Sequence, residues 1–162
     1  MVRVATLAAL LALALPGQEG QTLNRLGVPN PAKQDVPYLI HGSEIRALEQ
    51  AEATPEETKN QLMYWIGGAS ASVMTPLAAP EFLFDSNEID PRDLRMYAFE
   101  IVKGRREILY RKKKRVVAEP FFLQLDNVQD RVVRIRINAS LPPGQYCLTP
   151  DGRNVVFSFA VF

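Results

Sequence analysis

The chain has 162 residues, 47% of them hydrophobic and 23% charged, with a formal net charge of +1. That composition excludes a disordered chain, and the balanced charge argues against a dedicated nucleic-acid binder while leaving room for a local basic patch. With one cysteine and one histidine, one chain can assemble neither an internal disulfide nor a zinc site of the usual His/Cys kind.

The first element is an address. Arg3 precedes the apolar run Val4–Leu15, and Pro16, Gly17 and Gly20 follow at once. This is the order of a secretory signal, and the 12-residue run falls short of the roughly 20 residues that a membrane-spanning helix needs. Residues 1–20 therefore read as a signal peptide, cut after Ala14 or, less favourably, after Gly17. The mature protein is expected to be exported, periplasmic or extracellular. No cysteine lies near the cut to carry a lipid anchor. Removal takes one cation, Arg3, and one carboxylate, Glu19, and leaves the net charge unchanged. A single domain of about 140 residues remains, long enough to hold a core by packing alone.

Residues 21–36, punctuated by Pro29 and Pro31, read as an extended lead-in without a core of its own. The folded domain spans 37–162 and opens with a strand at Tyr38-Leu39-Ile40. Residues 43–53 have helix-forming composition but only Ile45, Ala47 and Leu48 to bury. Thr54-Pro55-Glu56-Glu57 combines a capping hydroxyl, a proline suited to the first helical position and a Glu placed to reach back. One short helix or helical turn is expected near 55–61. Leu62-Met63-Tyr64-Trp65-Ile66 is a solid apolar run ending at Gly67-Gly68 and reads as a buried strand. Between helix and strand, the sequence leaves 43–66 open.

Beyond Gly68 the signals are those of strands. Ser70–Met74 is short and β-compatible, Pro76 and Pro80 precede Phe82-Leu83-Phe84, and residues 85–93 form a loop. Leu94–Val102 is apolar on both sides, as in a central strand. Lys103-Gly104-Arg105 turns into Glu107–Tyr110. Phe121, Leu123 and Leu125 alternate with Phe122 and Gln124. Val133, Ile135 and Ile137 alternate with Arg134 and Arg136, the clearest period of two in the chain. The C-terminus is a hairpin in which Tyr146-Cys147-Leu148 meets 155–162 across a turn at Pro150–Arg153, with Val155, Phe157, Phe159 and Val161 on a core face. The expected fold is all-β, an antiparallel β-sandwich of about seven to nine strands with at most one short helix.

Leu141-Pro142-Pro143-Gly144-Gln145-Tyr146-Cys147-Leu148, followed by the Phe157-x-Phe159-x-Val161 strand, resembles the end of bacterial secreted immunoglobulin-like β-sandwich domains. Gly67-Gly68-Ala69-Ser70, Pro80-x-Phe82 and Arg106-Glu107 add a looser likeness to secreted bacterial proteins. The resemblance implies an immunoglobulin-like sandwich in which Tyr146 is a structural tyrosine corner, its hydroxyl tied to upstream backbone. It implies no catalytic set.

Three features bear on chemistry. Lys103, Arg105, Arg106, Arg111, Lys112, Lys113, Lys114 and Arg115 are eight cations in thirteen residues, opposed only by Glu107. They read either as an anion-binding ribbon or as a solvated hairpin whose charges protect a sheet edge. Asp85, Asn87 and Asp90 offer oxygen donors for Ca²⁺, the one cofactor the sequence suggests, although Asp90 stands where a calcium loop has glycine. Turn and capping chemistry around Pro91 explains the same residues. Cys147 reads as a buried structural thiol, and His41 has no motif around it. The sequon Asn138-Ala139-Ser140 matters only in a eukaryotic secretory pathway.

No catalytic constellation is assembled. The expectation is an exported, non-enzymatic module with a binding or structural role at the cell envelope. Its partner would be an envelope protein or anionic polymer, with peripheral contact to an anionic surface and no specific nucleic acid. The alternative is a small secreted hydrolase built from scattered carboxylates.

Overall fold

A computed structural model describes residues 22–162, so the signal-peptide expectation for 1–20 lies outside the described residues. The strands in chain order are β1 (Tyr38–His41), β2 (Glu44–Ala47), β3 (Glu49–Glu52), β4 (Thr54–Glu57), β5 (Gln61–Gly67), β6 (Met74–Thr75) and β7 (Glu81–Asp85). They continue with β8 (Leu94–Val102), β9 (Arg105–Lys112), β10 (Arg115–Val116), β11 (Leu123–Gln129), β12 (Val132–Ile137), β13 (Gly144–Pro150) and β14 (Val155–Val161). One sheet runs β11-β12-β7-β1-β2 and the other β3-β14-β13-β8-β9-β5-β4, with β10 beside β9 and β6 beside β14. Pairing is antiparallel throughout except for the two-residue β6–β14 contact. The fold is the expected all-β antiparallel sandwich.

Among the described residues there are fourteen strand segments against the seven to nine expected; three of them, β2, β3 and β4, come from one run that changes layer twice, and β6 and β10 are two residues long. From Glu44 to Glu57 the chain is extended, broken only at Leu48 and Ala53. At Leu48 it crosses from the first sheet to the second, donating its N–H to the Pro37 carbonyl and burying its side chain between the sheets. At Ala53, whose N–H donates to Asn154, it crosses again. The helix expected near 55–61 is therefore absent. Thr54–Glu57 pairs as an edge strand with β5, where a proline costs no ladder bond on its solvent side. Thr58 supplies the turn, its Oγ1 accepting from the N–H groups of Asn60 and Gln61. Pairing with the apolar β5 overrides a local helix-start signal. Among the described residues the one helical piece is a 3-10 turn at Pro91–Asp93, capped by the Asp90 carboxylate.

The main core lies between the sheets. Leu39, Phe82, Phe84 and Ile135 face Met96, Tyr146, Leu148, Phe157 and Phe159. A second apolar layer covers the far face of the second sheet, because that sheet bends within β8. Leu94–Phe99 pairs with β13, whereas Glu100–Val102 pairs with β9. The β9-β5-β4 part thereby folds over β13 and β14, packing Tyr64, Ile66 and Ile108 against Cys147, Val156, Tyr97 and Phe99. Strand β14 is thus buried on both faces, not only on the Val155/Phe157/Phe159/Val161 side. The solid run at 62–66 comes out only half-buried, since its outer face carries Trp65 under the Arg105 guanidinium, 4.7 Å from the ring centre. The lead-in is also more engaged than expected. Val28 packs with Leu83, Val128 and Val132 on the outer face of the first sheet.

Candidate functional site

The basic run does not form one ribbon. Strand β9 has eight residues, so at about 3.3 Å per residue its two turns lie some 25 Å apart. Lys103 sits at one turn and Lys112–Arg115 at the other. Alternation along β9 then sorts the arginines. Arg106 faces inward and is 3% exposed, its Nη2 bonded to Glu49 (2.7 Å) and the Gly67 carbonyl (3.0 Å) and its Nε to the Gly68 carbonyl (3.1 Å). Arg105 pairs with Glu107 and Glu56, and Arg111 with Glu57. These three arginines are structural, each neutralised by a carboxylate.

The other end of β9 differs. Lys112 pairs with Arg115 across a two-residue turn at Lys113-Lys114. Lys113 has φ 56°, a left-handed conformation that usually falls to Gly or Asn. The N–H of Lys113 donates to the Asn60 carbonyl, which brings the β4–β5 turn and its exposed Lys59 alongside. Among the described residues no ion pair involves Lys59, Lys112, Lys113, Lys114 or Arg115. Val116 (60% exposed) and Val117 (42%) follow directly. The sequence signalled the lysines but not Lys59, which sits more than fifty residues upstream.

At Asp85 and Asp90, two of the three residues of the calcium expectation, the structure shows protein partners. The Asp90 carboxylate is taken by the backbone N–H and guanidinium of Arg92, hydrogen bonds that hold its pKa down at about 2. Asp85 faces Arg131 at 3.5 Å. Among the described residues no three histidine, cysteine or carboxylate side chains converge on a metal position. The loop is instead organised by Asp35, whose carboxylate accepts from the N–H groups of Asn87, Glu88 and Ile89 at 2.8–3.1 Å. Burial raises the Asp35 pKa, but these bonds and the Arg153 charge outweigh it and leave it lowered. A lowered folded pKa gives stability that is full above about 3.8 and lost as pH falls through the folded value. Asp35→Asn should cost about 1 kcal/mol at pH 7, given partial solvent exposure. In denaturant melts the difference from wild type should shrink below about pH 4; a difference independent of pH would refute the charge's role.

Cys147 is fully buried in the second core layer, and burial pushes its pKa up to about 12. It is a core side chain and no nucleophile at neutral pH. Tyr146 donates its hydroxyl to the Pro142 carbonyl at 2.6 Å.

A cleft of about 270 Å³ opens where the bent sheet folds over itself. Tyr64 of β5, Tyr97 of β8 and Ile108 and Tyr110 of β9 form its walls, and Asp151 and Arg153 of the β13–β14 turn form its rim. Tyr64 and Tyr110 meet edge-to-face, centroids 5.9 Å apart. Asp151 is held by Arg95 at 2.8 Å and by its own N–H donating to the Asp93 carbonyl. Burial, with Tyr110 and Asp151 nearby, raises the Tyr97 pKa and keeps the phenol protonated. Nothing in the sequence marked this cleft, because its tyrosines come from three strands with no common spacing. Asp151 is the one carboxylate in its lining, so the cleft holds no carboxylate pair of the kind used by glycoside hydrolases.

No family model, no curated protein and no solved structure matches the chain.

Proposed function

We propose that this protein is an exported, non-enzymatic β-sandwich module that attaches to an anionic lipid surface at the cell envelope through the β9–β10 tip. One observation carries the reading: Lys112–Arg115, with Lys59 beside them, make no ion pair among the described residues and run directly into exposed Val116 and Val117. Cations next to a small apolar step suit a membrane interface, where headgroups meet the charge and the valines enter the boundary. A dissolved polyanion would use the charge and leave the valines in water. The signal-like order of residues 1–20 supports export.

Each Lys or Arg near an anionic membrane contributes about 1 kcal/mol. The Lys112→Gln/Lys113→Gln/Lys114→Gln variant should therefore bind phosphatidylglycerol vesicles about a hundredfold more weakly in co-sedimentation. Because the tip is exposed, binding should be strong at low salt and fall steeply as the screening length shortens. Val117→Ser, which removes apolar surface without adding charge, should weaken vesicle binding but not binding to soluble polyphosphate. No vesicle binding at low salt, or binding unchanged by the triple substitution, would remove the proposal; vesicle binding unchanged by Val117→Ser would favour a polymer.

A further inference from the structure

The tyrosine cleft borders the basic tip, since the Val117 N–H donates to the Tyr110 carbonyl, but it has its own chemistry. We infer that it binds one pyranose ring of a neutral saccharide. Its volume, about 270 Å³, sits at the lower edge of the range for small-molecule sites, where a single ring fits. Its lining includes Tyr64, Tyr97 and Tyr110 with Ile108, and its rim carries one carboxylate, Asp151, and one guanidinium, Arg153. The hydrogen bonds that tyrosine hydroxyls make among the described residues involve Tyr38 and Tyr146, so no protein partner occupies the hydroxyls of Tyr64, Tyr97 and Tyr110.

Each competing class of ligand leaves something unsatisfied. The Asp151 carboxylate is paired with Arg95 and the Arg153 guanidinium reaches the Glu88 carbonyl at 3.5 Å, so neither rim charge stands free to draw a counter-ion. A purely apolar ligand would desolvate three phenols and two charges without replacing their hydrogen bonds. A sugar ring answers both surfaces. Its weakly positive C–H faces suit the negative faces of aromatic rings, and its edge hydroxyls, each donor and acceptor, suit a carboxylate beside a guanidinium. The rim is set before any ligand arrives, because Gly152 at φ 73° closes the Pro150–Arg153 turn and Asp151 is held from two sides. Such preorganisation lowers the ordering cost of binding.

The test is an NMR titration of the protein, following tyrosine ring signals. The probes are methyl β-glucopyranoside, methyl β-galactopyranoside and N-acetylglucosamine, with cyclohexanemethanol as a hydroxyl-poor ring of similar girth. A ring of about a dozen non-hydrogen atoms should bind with Kd on the order of 1 mM. At least one sugar should shift the Tyr97 and Tyr110 signals saturably, and cyclohexanemethanol should not. Tyr110→Leu keeps apolar volume and should weaken binding about tenfold, as expected for loss of an aromatic contact. Asp151→Asn, at an exposed site where misfolding is not a concern, should weaken it about fivefold through loss of a charged hydrogen-bond acceptor. The Lys112/Lys113/Lys114 variant should bind the sugar as wild type does, which separates this site from the tip. Three outcomes would overturn the inference: no sugar shifting the tyrosines at about 50 mM, far above the expected Kd; cyclohexanemethanol binding as well as a sugar; or either cleft variant binding like wild type.

Discussion

Replacing Arg106 by alanine is expected to lower the unfolding free energy by about 3–5 kcal/mol, the loss that follows when one partner of a buried ion pair is removed. Its guanidinium joins three parts of the chain: Glu49 at the start of β3, the Gly67 and Gly68 carbonyls at the end of β5, and the Phe99 ring of β8, 5.9 Å away. Those contacts hold the β9-β5-β4 part of the bent sheet against β14. Without them two carbonyls lose the guanidinium and a half-buried carboxylate keeps only its bond from the Ser72 N–H. Glu49→Gln keeps a neutral acceptor for Arg106 and should cost less, about 1–2 kcal/mol.

The pH dependence has a definite sign. Burial raises the Glu49 pKa, but bonds from Arg106 and Ser72 outweigh it and leave it below its ordinary value. The pair's contribution is therefore full above about 4.5 and lost as pH falls through the lowered folded value. The penalty of Arg106→Ala should shrink on acidification. Denaturant melts giving a loss below about 1 kcal/mol at pH 7 would show that the pair only decorates the bend.

Arg106 also shows where sequence reading stops. Counted along the chain it is one of eight cations. In a strand, alternation puts it on one face with Ile108 and Tyr110 while Arg105 and the buried Glu107 lie on the other, and only the tertiary bend supplies Glu49 to meet it. The same bend assembles the tyrosine cleft from β5, β8 and β9, so neither is visible as a spacing. What is legible is periodicity with one buried face. Val133, Ile135 and Ile137 enter the core as their alternation predicts, and Arg134 and Arg136 stay outside, paired with Asp126. The second buried face of β14 is less legible, because Ser158 and Ala160 are small and carry little hydrophobic signal. Residues 43–57 mislead for a related reason. Their charges suit a solvated helix, and they are equally the exposed sides of edge strands whose anchors, Leu48 and Ala53, are single residues at layer crossings.

At the sandwich end, Tyr146→Phe should cost about 1 kcal/mol and Tyr146→Ala about 3–5 kcal/mol. The ring is buried, stacked on Phe159 with centroids 5.6 Å apart and edge-on to Phe121 at 5.9 Å. Truncation would open a cavity in the main core, where both β7 and β14 contribute phenylalanines. The hydroxyl, which burial keeps protonated, donates to the Pro142 carbonyl. Pro142 is exposed, so water can replace that one bond and Phe loses only its net worth. Gly144 lets the ring lie across the chain, since a Cβ there would sit 3.3 Å from the hydroxyl oxygen. Gly144→Ala should therefore cost less than Tyr146→Ala, with the strain falling on the Tyr146–Pro142 bond. Denaturant melts in which Phe and Ala at position 146 cost the same small amount would show that neither the corner bond nor the ring holds this end of the sandwich.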